Sequence, residues 1–192
     1  MKILANDGTV IAPGISFNND SDTGLYRTTS GQVGFASNGV LGPALDPGGI
    51  AFPATQVSSS NVNTLDDYEE GTWTPAVGGS ATYTTQVGVY RKIGALVFVQ
   101  CSLVINSIGS GSTSVVSGLP FASLGSGATS ALAVSYFTSL AASISYFAML
   151  VNTAVSTAAA EGIAVEGTGA SAVGIFGNSA QVDFSGCYPV AT

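Results

Sequence analysis

From Ala95 to Ser107 the chain reads ALVFVQCSLVINS, with apolar residues at every second position. Val97, Val99, Cys101, Leu103 and Ile105 fall on one face, the period of a β-strand. Leu96, Phe98 and Val104 fall on the other, so the pattern predicts a strand buried on both sides. The runs that follow are similar: STSVVSGLPF, SALAVSYFTSL, SISYFAMLVN, GIAVEG, SAVGIFG and AQVDFSGCYPV, each bounded by Gly, Ser or Asn. Strands spaced about 8–12 residues apart, with turn residues between them, predict an all-β fold. Residues 73–192 are therefore expected to form an antiparallel β-sandwich head, jelly-roll-like. Its one helical rival is NTAVSTAAAEG, Asn152 to Gly162, whose alanines favour helix.

Residues 1–60 have a different texture. GISF, LYR and QVGFASNG are short strand-like runs, separated by the polar turns NNDSDTG and TTSG. Large apolar residues in these runs are few: Ile15, Phe17, Leu25, Tyr26, Val33 and Phe35. Such a segment cannot build much of a core alone and is expected to borrow one from copies of itself or from a neighbour. GVLGPALDPGGIAFPATQVSSSNVN, with Pro43, Pro47 and Pro53, predicts an extended connector that is neither helix nor central strand. The expected organisation is a β-hairpin stalk or attachment segment over 1–60, an acidic hinge over 61–72, and the head.

The hinge holds Asp66, Asp67, Glu69 and Glu70 and leads to the single tryptophan, Trp73. Paired-carboxylate hydrolysis needs two acids facing each other across a cleft. Four acids within five residues form one patch, and only Glu161, Glu166 and Asp183 follow it. A calcium loop needs a regular ligand array ending in a distant Glu. Asn18, Asp20 and Asp22 alternate in that manner, but the twelfth residue is Thr29, so an Asx-rich turn is the expectation. Trp73 is read as an apolar anchor at the entry to the head, with Pro75 and Gly78-Gly79 turning the chain into its first hairpin.

Composition narrows the function classes. The chain has no histidine, which removes Ser-His and Cys-His catalysis and the commonest transition-metal ligand. Cys101 and Cys187 match no CxxC pattern; they are expected to be buried small hydrophobes, with a disulfide as the alternative. No catalytic, cofactor-binding or metal-binding residue is assigned, and no enzyme is expected. Charged residues make up only 8% of 192, so solubility rests on hydroxyls, backbone and assembly that hides surface. A net charge of −7, with Lys2, Arg27, Arg91 and Lys92 the only basic residues, speaks against nucleic acid. The start, MKILANDGTVIAPG, has no apolar run long enough for a signal peptide. ALAVSYFTSLAASISYFAMLV is as long as a bilayer span, but its hydroxyl-bearing side chains and unremarkable flanks predict buried strands and no membrane insertion.

Two passages carry a resemblance. PGISFNNDSDTGLYR followed by QVGFASNG resembles a P-x-I-S-F-x-x-D-x-D-T-G-[LF]-Y-R segment of bacteriophage tail-fibre and other virion structural proteins. DYEEGTWTP, with VGVYRKIGALVFVQ and SGLPF after it, resembles a small β-rich domain that often follows that segment. Together they span Pro13 to Phe121, and VDFSGCYPV looks like the same domain's last strand. The resemblance implies a virion appendage, a homotrimer with a thin N-terminal region and a globular head, and brings no catalytic residues. The motifs do not say which part of the virion is involved; the leading expectation is a short tail fibre whose head takes part in recognising a host-surface glycan or protein, attached to other virion proteins through the N-terminal segment. Tyr136, Phe137, Tyr146, Phe147 and Tyr188 are the aromatic candidates for that contact, each also suited to core or trimer interface. The motif begins about thirteen residues from Met1, where a tail fibre commonly has a baseplate-docking module. Capsid decoration is therefore the alternative reading. A polysaccharide depolymerase would need paired carboxylates that the chain does not offer.

Overall fold

In the computed structural model, the described residues are 4–55, 57, 59, 61, 63–125, 129–144, 146–163, 171–172 and 174–191. Among them there are strands and turns and no helix. The chain divides into two compact units, Met1–Asp67 and Tyr68–Thr192.

The N-terminal unit opens with a small hairpin, β1 (Gly8–Thr9) and β2 (Ala12–Pro13). An antiparallel five-stranded meander follows: β3 (Ile15–Phe17), β4 (Asp20–Tyr26), β5 (Val33–Ser37), β6 (Val40–Asp46) and β7 (Gly49–Ala51). The turns explain its order. Asn38-Gly39 joins β5 to β6 with both residues at positive φ, the two-residue geometry whose twist matches paired strands. Pro47-Gly48 joins β6 to β7, with Asp46 Oδ1 accepting the Gly48 N–H at 2.9 Å.

Two expectations are corrected here. The polar run after Phe17 is a turn only at Asn18-Asn19, because Asp20 to Tyr26 is β4, paired with β3 at Asp20, Gly24 and Leu25 and with β5 from Gly24 to Tyr26. The expected connector contains β6 and β7, and β6 lies inside the sheet despite Pro43. The register shifts where Gly42 and Pro43 pass Phe35, so the proline stands where no ladder bond is demanded of it.

The C-terminal unit forms one antiparallel sheet that folds over. Its strands are β8 (Tyr68–Trp73), β9 (Thr82–Ile93), β10 (Leu96–Ser107), β11 (Val115–Ser117), β12 (Ser130–Thr138), β13 (Tyr146–Val151), β14 (Thr157–Ile163), β15 (Ser171–Ala172) and β16 (Gln181–Pro189). The order is β11-β14-β13-β12-β16-β10-β9-β8, with β15 beside β14. β12 makes the fold: Ser130–Leu132 pair with β13, and the strand then turns to pair with β16 from Ala133 onward. A bulge at Ser135 lies within that second half. Past β8 the chain reaches β11, where Ala76 and Ser117 exchange N–H···O bonds of 3.1 and 2.7 Å, joining the two sheet edges. The result is the expected antiparallel sandwich.

Its core lies between the layers. Val97, Val99, Cys101, Leu103 and Ile105 meet Val116, Leu132, Met149 and Val151, with Phe176, Phe184 and Tyr188 filling the interior. β10 is buried on one face only, since Leu96 is exposed and Phe98 and Val104 are half-buried on the outer face. The helical rival is a turn followed by β14. Among the described residues no helix is long and apolar enough to cross a membrane, and Ala131–Val151 supplies most of β12 and all of β13.

Candidate functional site

The meander of the N-terminal unit has two unlike faces. Register places Ile15, Leu25 and Phe35 in one cross-strand row, and Val33, Leu45 and Ile50 in the next. Val33 and Phe35 are two residues apart on one strand, so both rows share a face. That face runs across all five strands, carries no charge and is uncovered: Ile50 is 63% exposed, Ile15 54%, and Phe35 42%. A shallow groove of about 560 Å³ passes over Ile15, Leu25 and Val33, edged by the ion pair of Arg27 with Asp7 at 2.9 Å. The opposite face is built mostly from small residues: Ser16, Gly24 and Ala36 in one row that ends at Leu41, and Gly34, Ala44 and Ala51 beside Tyr26 in another. The apolar side chains this unit buries, among the described residues, are Pro13, Ala36 and Ala44. A sheet with its small side chains inside and its large ones outside has no core of its own.

The acidic stretch is not a hinge throughout. Tyr68 to Trp73 is β8, paired along its length with β9, and the units divide between Asp67 and Tyr68. The reason is a charge pattern that sequence reading missed. Glu69 stands opposite Lys92 and Glu70 opposite Arg91, so the only adjacent acids of β8 meet the only adjacent bases of β9. The Arg91 Nε lies 3.4 Å from Glu70 Oε2, while Lys92 is buried with its Nζ 5.3 Å from the Phe121 ring centre. An EE run and an RK run twenty residues apart were the available signal. Burial and the neighbouring Glu69 carboxylate raise the Tyr90 phenol, which donates to Glu69 Oε2 at 3.5 Å.

Trp73 is the buried anchor expected of it, its indole N–H donating to the Val89 carbonyl at 3.2 Å. Of the five aromatic candidates, Tyr188 is core: fully buried, its hydroxyl donates to the Phe121 carbonyl at 3.0 Å. Burial raises its pKa to about 12. Phe147 is half-buried and meets Phe137 edge-on at 5.6 Å, leaving Tyr136, Phe137 and Tyr146 exposed.

Cys101 is buried, and desolvation with the nearby Asp183 charge pushes its thiol well up, away from reactivity. Cys187 is exposed, contrary to expectation, and both thiols are free. Cys101 pairs with Phe184 and Phe98 with Cys187, an odd number of residues away along each strand, so the two cysteines point to opposite faces.

Among the described residues no three Asp, Glu, Cys or His side chains gather to hold a metal. Asp20 and Asp22 do interact: a hydrogen bond with Asp20 raises the Asp22 carboxyl. Asn18 sits in the preceding turn, its amide bonded to Asn19. Glu166 lies outside the described residues, and Glu161 is placed only as a backbone position on β14. No protein-family model, curated protein or solved structure matches the chain.

Proposed function

We propose that the chain is a bacteriophage virion structural protein, a short tail fibre that assembles as a homotrimer through its N-terminal unit and presents the β-sandwich head to the host surface. One observation carries this reading: the uncovered face of Ile15, Leu25, Val33, Phe35, Leu45 and Ile50, in a unit whose buried apolar side chains, among the described residues, are Pro13, Ala36 and Ala44. Covering the exposed parts of six such side chains is worth on the order of 5 kcal/mol per copy. A 67-residue unit without a core needs stabilisation of that size. Identical uncharged rows are complementary to themselves, so copies of the chain suit the face, and an ionic partner does not. The phage assignment rests on the PGISFNNDSDTGLYR and DYEEGTWTP resemblances. In this reading the same unit also meets other virion proteins of the tail.

Immunogold labelling of intact virions, with antibody raised against residues 73–192, tests the assignment. Gold along the tail or its fibres is expected. Gold spread across the capsid would overturn the fibre in favour of a decoration protein.

A further inference from the structure

The outer face of the head's β8–β16 layer carries a cleft that assembly through the N-terminal unit does not use. It has a volume of about 330 Å³ and is lined by Gln100, Ser102, Ser135, Asp183 and Ser185, with Val87 at one side. Strand alternation explains the lining: Cys101 and Phe184 point into the core, so Gln100, Ser102, Asp183 and Ser185 point out. Register then sets Val87, Ser102, Asp183 and Tyr136 in one row across four strands, with Val89, Gln100 and Ser185 in the next. Val87 and Tyr136, the ends of the first row, are 54% and 52% exposed.

The hydrogen bonding of this face is incomplete. Among the described residues the side chains of Gln100, Ser102 and Ser185 make no hydrogen bonds. Asp183 Oδ2 accepts from the Gln181 amide at 3.1 Å, whereas Oδ1 is buried with no partner. A carboxylate oxygen shut away from water without a donor is costly, and native folds rarely leave one.

We infer that this cleft binds one or two rings of a neutral saccharide, with Asp183, Ser102 and Gln100 taking its hydroxyls and Tyr136 forming an apolar platform beside them. A sugar hydroxyl can donate to the Asp183 carboxylate once it turns about its broad terminal torsion to bring Oδ1 out of cover, exchanging the Gln181 bond for one to the ligand. Each sugar hydroxyl also accepts, which suits the free serine hydroxyls and the Gln100 amide. Acidic sugars are disfavoured by Asp183 and by the chain's net charge of −7. A peptide strand would need unpaired backbone groups, and the floor of the cleft is β10 and β16, which are paired on both sides there. Its volume is at the small end for ligand sites. The inference names a ligand class for the host-recognition role and rests on that reading.

The test is titration of the full-length protein with neutral trisaccharides of glucose, galactose and mannose, followed by backbone amide shifts in NMR. Shifts confined to β9, β10, β12 and β16 are expected with at least one of them. Asp183→Asn and Tyr136→Ala should each weaken that binding about tenfold, the loss of one charge-assisted or stacking contact. Ile93→Ala, exposed on β9 and outside the cleft, should leave it unchanged. Gln100→Ala stands in should Asp183→Asn fail to fold. No shifts with any of the three sugars, or shifts that survive the substitutions, would overturn the inference. The soluble protein suffices for this experiment, so that failure would leave the virion assignment standing, while gold on the capsid would remove the assignment and leave measured binding intact.

Discussion

Gly88 lies directly across from Trp73, and the indole rests on its backbone. A Cβ at that position would come within 2.5 Å of the ring's Nε1 and Cε2. The tryptophan therefore depends on a residue with no side chain fifteen positions later. Gly88→Ala should destabilise the head by about 1–3 kcal/mol through overpacking, read as a lower denaturant midpoint with an unchanged slope. An unchanged midpoint would mean that the indole has room to move. Trp73 was legible in the sequence because a lone tryptophan beside a turn has few other uses. Its partner was not, because a glycine inside VGVYRK reads as a weak strand position. Cys187 was misread for a related reason. Cysteine is usually buried, but strand parity decides its face, and parity was fixed only once Tyr188 was known to point inward.

At the scale of elements, β10 shows what periodicity can and cannot say. Its alternation located the strand and its core face, while the apolar outer face suggested a second burial that the sandwich does not provide. Long-range charge matching between β8 and β9 lay in plain letters and was missed, because register is a pairwise property. The β6–β7 turn was hidden for the opposite reason: Pro and Gly signal both connector and hairpin, and only pairing tells them apart. That turn carries a pH signature. The Gln32 amide, and then the Gly48 N–H, hold the Asp46 carboxyl below its ordinary value of 3.8. A depressed folded value means the turn's contribution is complete above the ordinary carboxylate range and is lost as pH falls through the folded value. The Gly48 amide shift should therefore titrate with a midpoint below 3.8, and Gln32→Ala should move it upward. A midpoint at or above 3.8 in the unaltered protein would contradict the bond.

At the scale of the molecule, the two units answer the same physical requirement differently. The head encloses its large apolar side chains between two layers. The N-terminal unit leaves Phe35, Leu45 and Ile50 on the outside, so it lacks a core through where its large apolar residues face, beyond the sparseness that the runs up to Gly39 had signalled. Which residues form the uncovered face could not be read beforehand, because Leu45 and Ile50 lay in a stretch taken for connector. The central claim is that copies of the chain cover this face. Sedimentation equilibrium of the full chain, beside Phe35→Asp and Leu45→Asp, measures it most directly. Trp73 fluorescence, from the only tryptophan, reports separately whether the head remains folded. The account predicts three times the 19.0 kDa chain mass for the unaltered protein and a smaller species for both variants, with the tryptophan signal preserved. A monomer at every concentration, or a trimer that both buried aspartates leave intact, would contradict it.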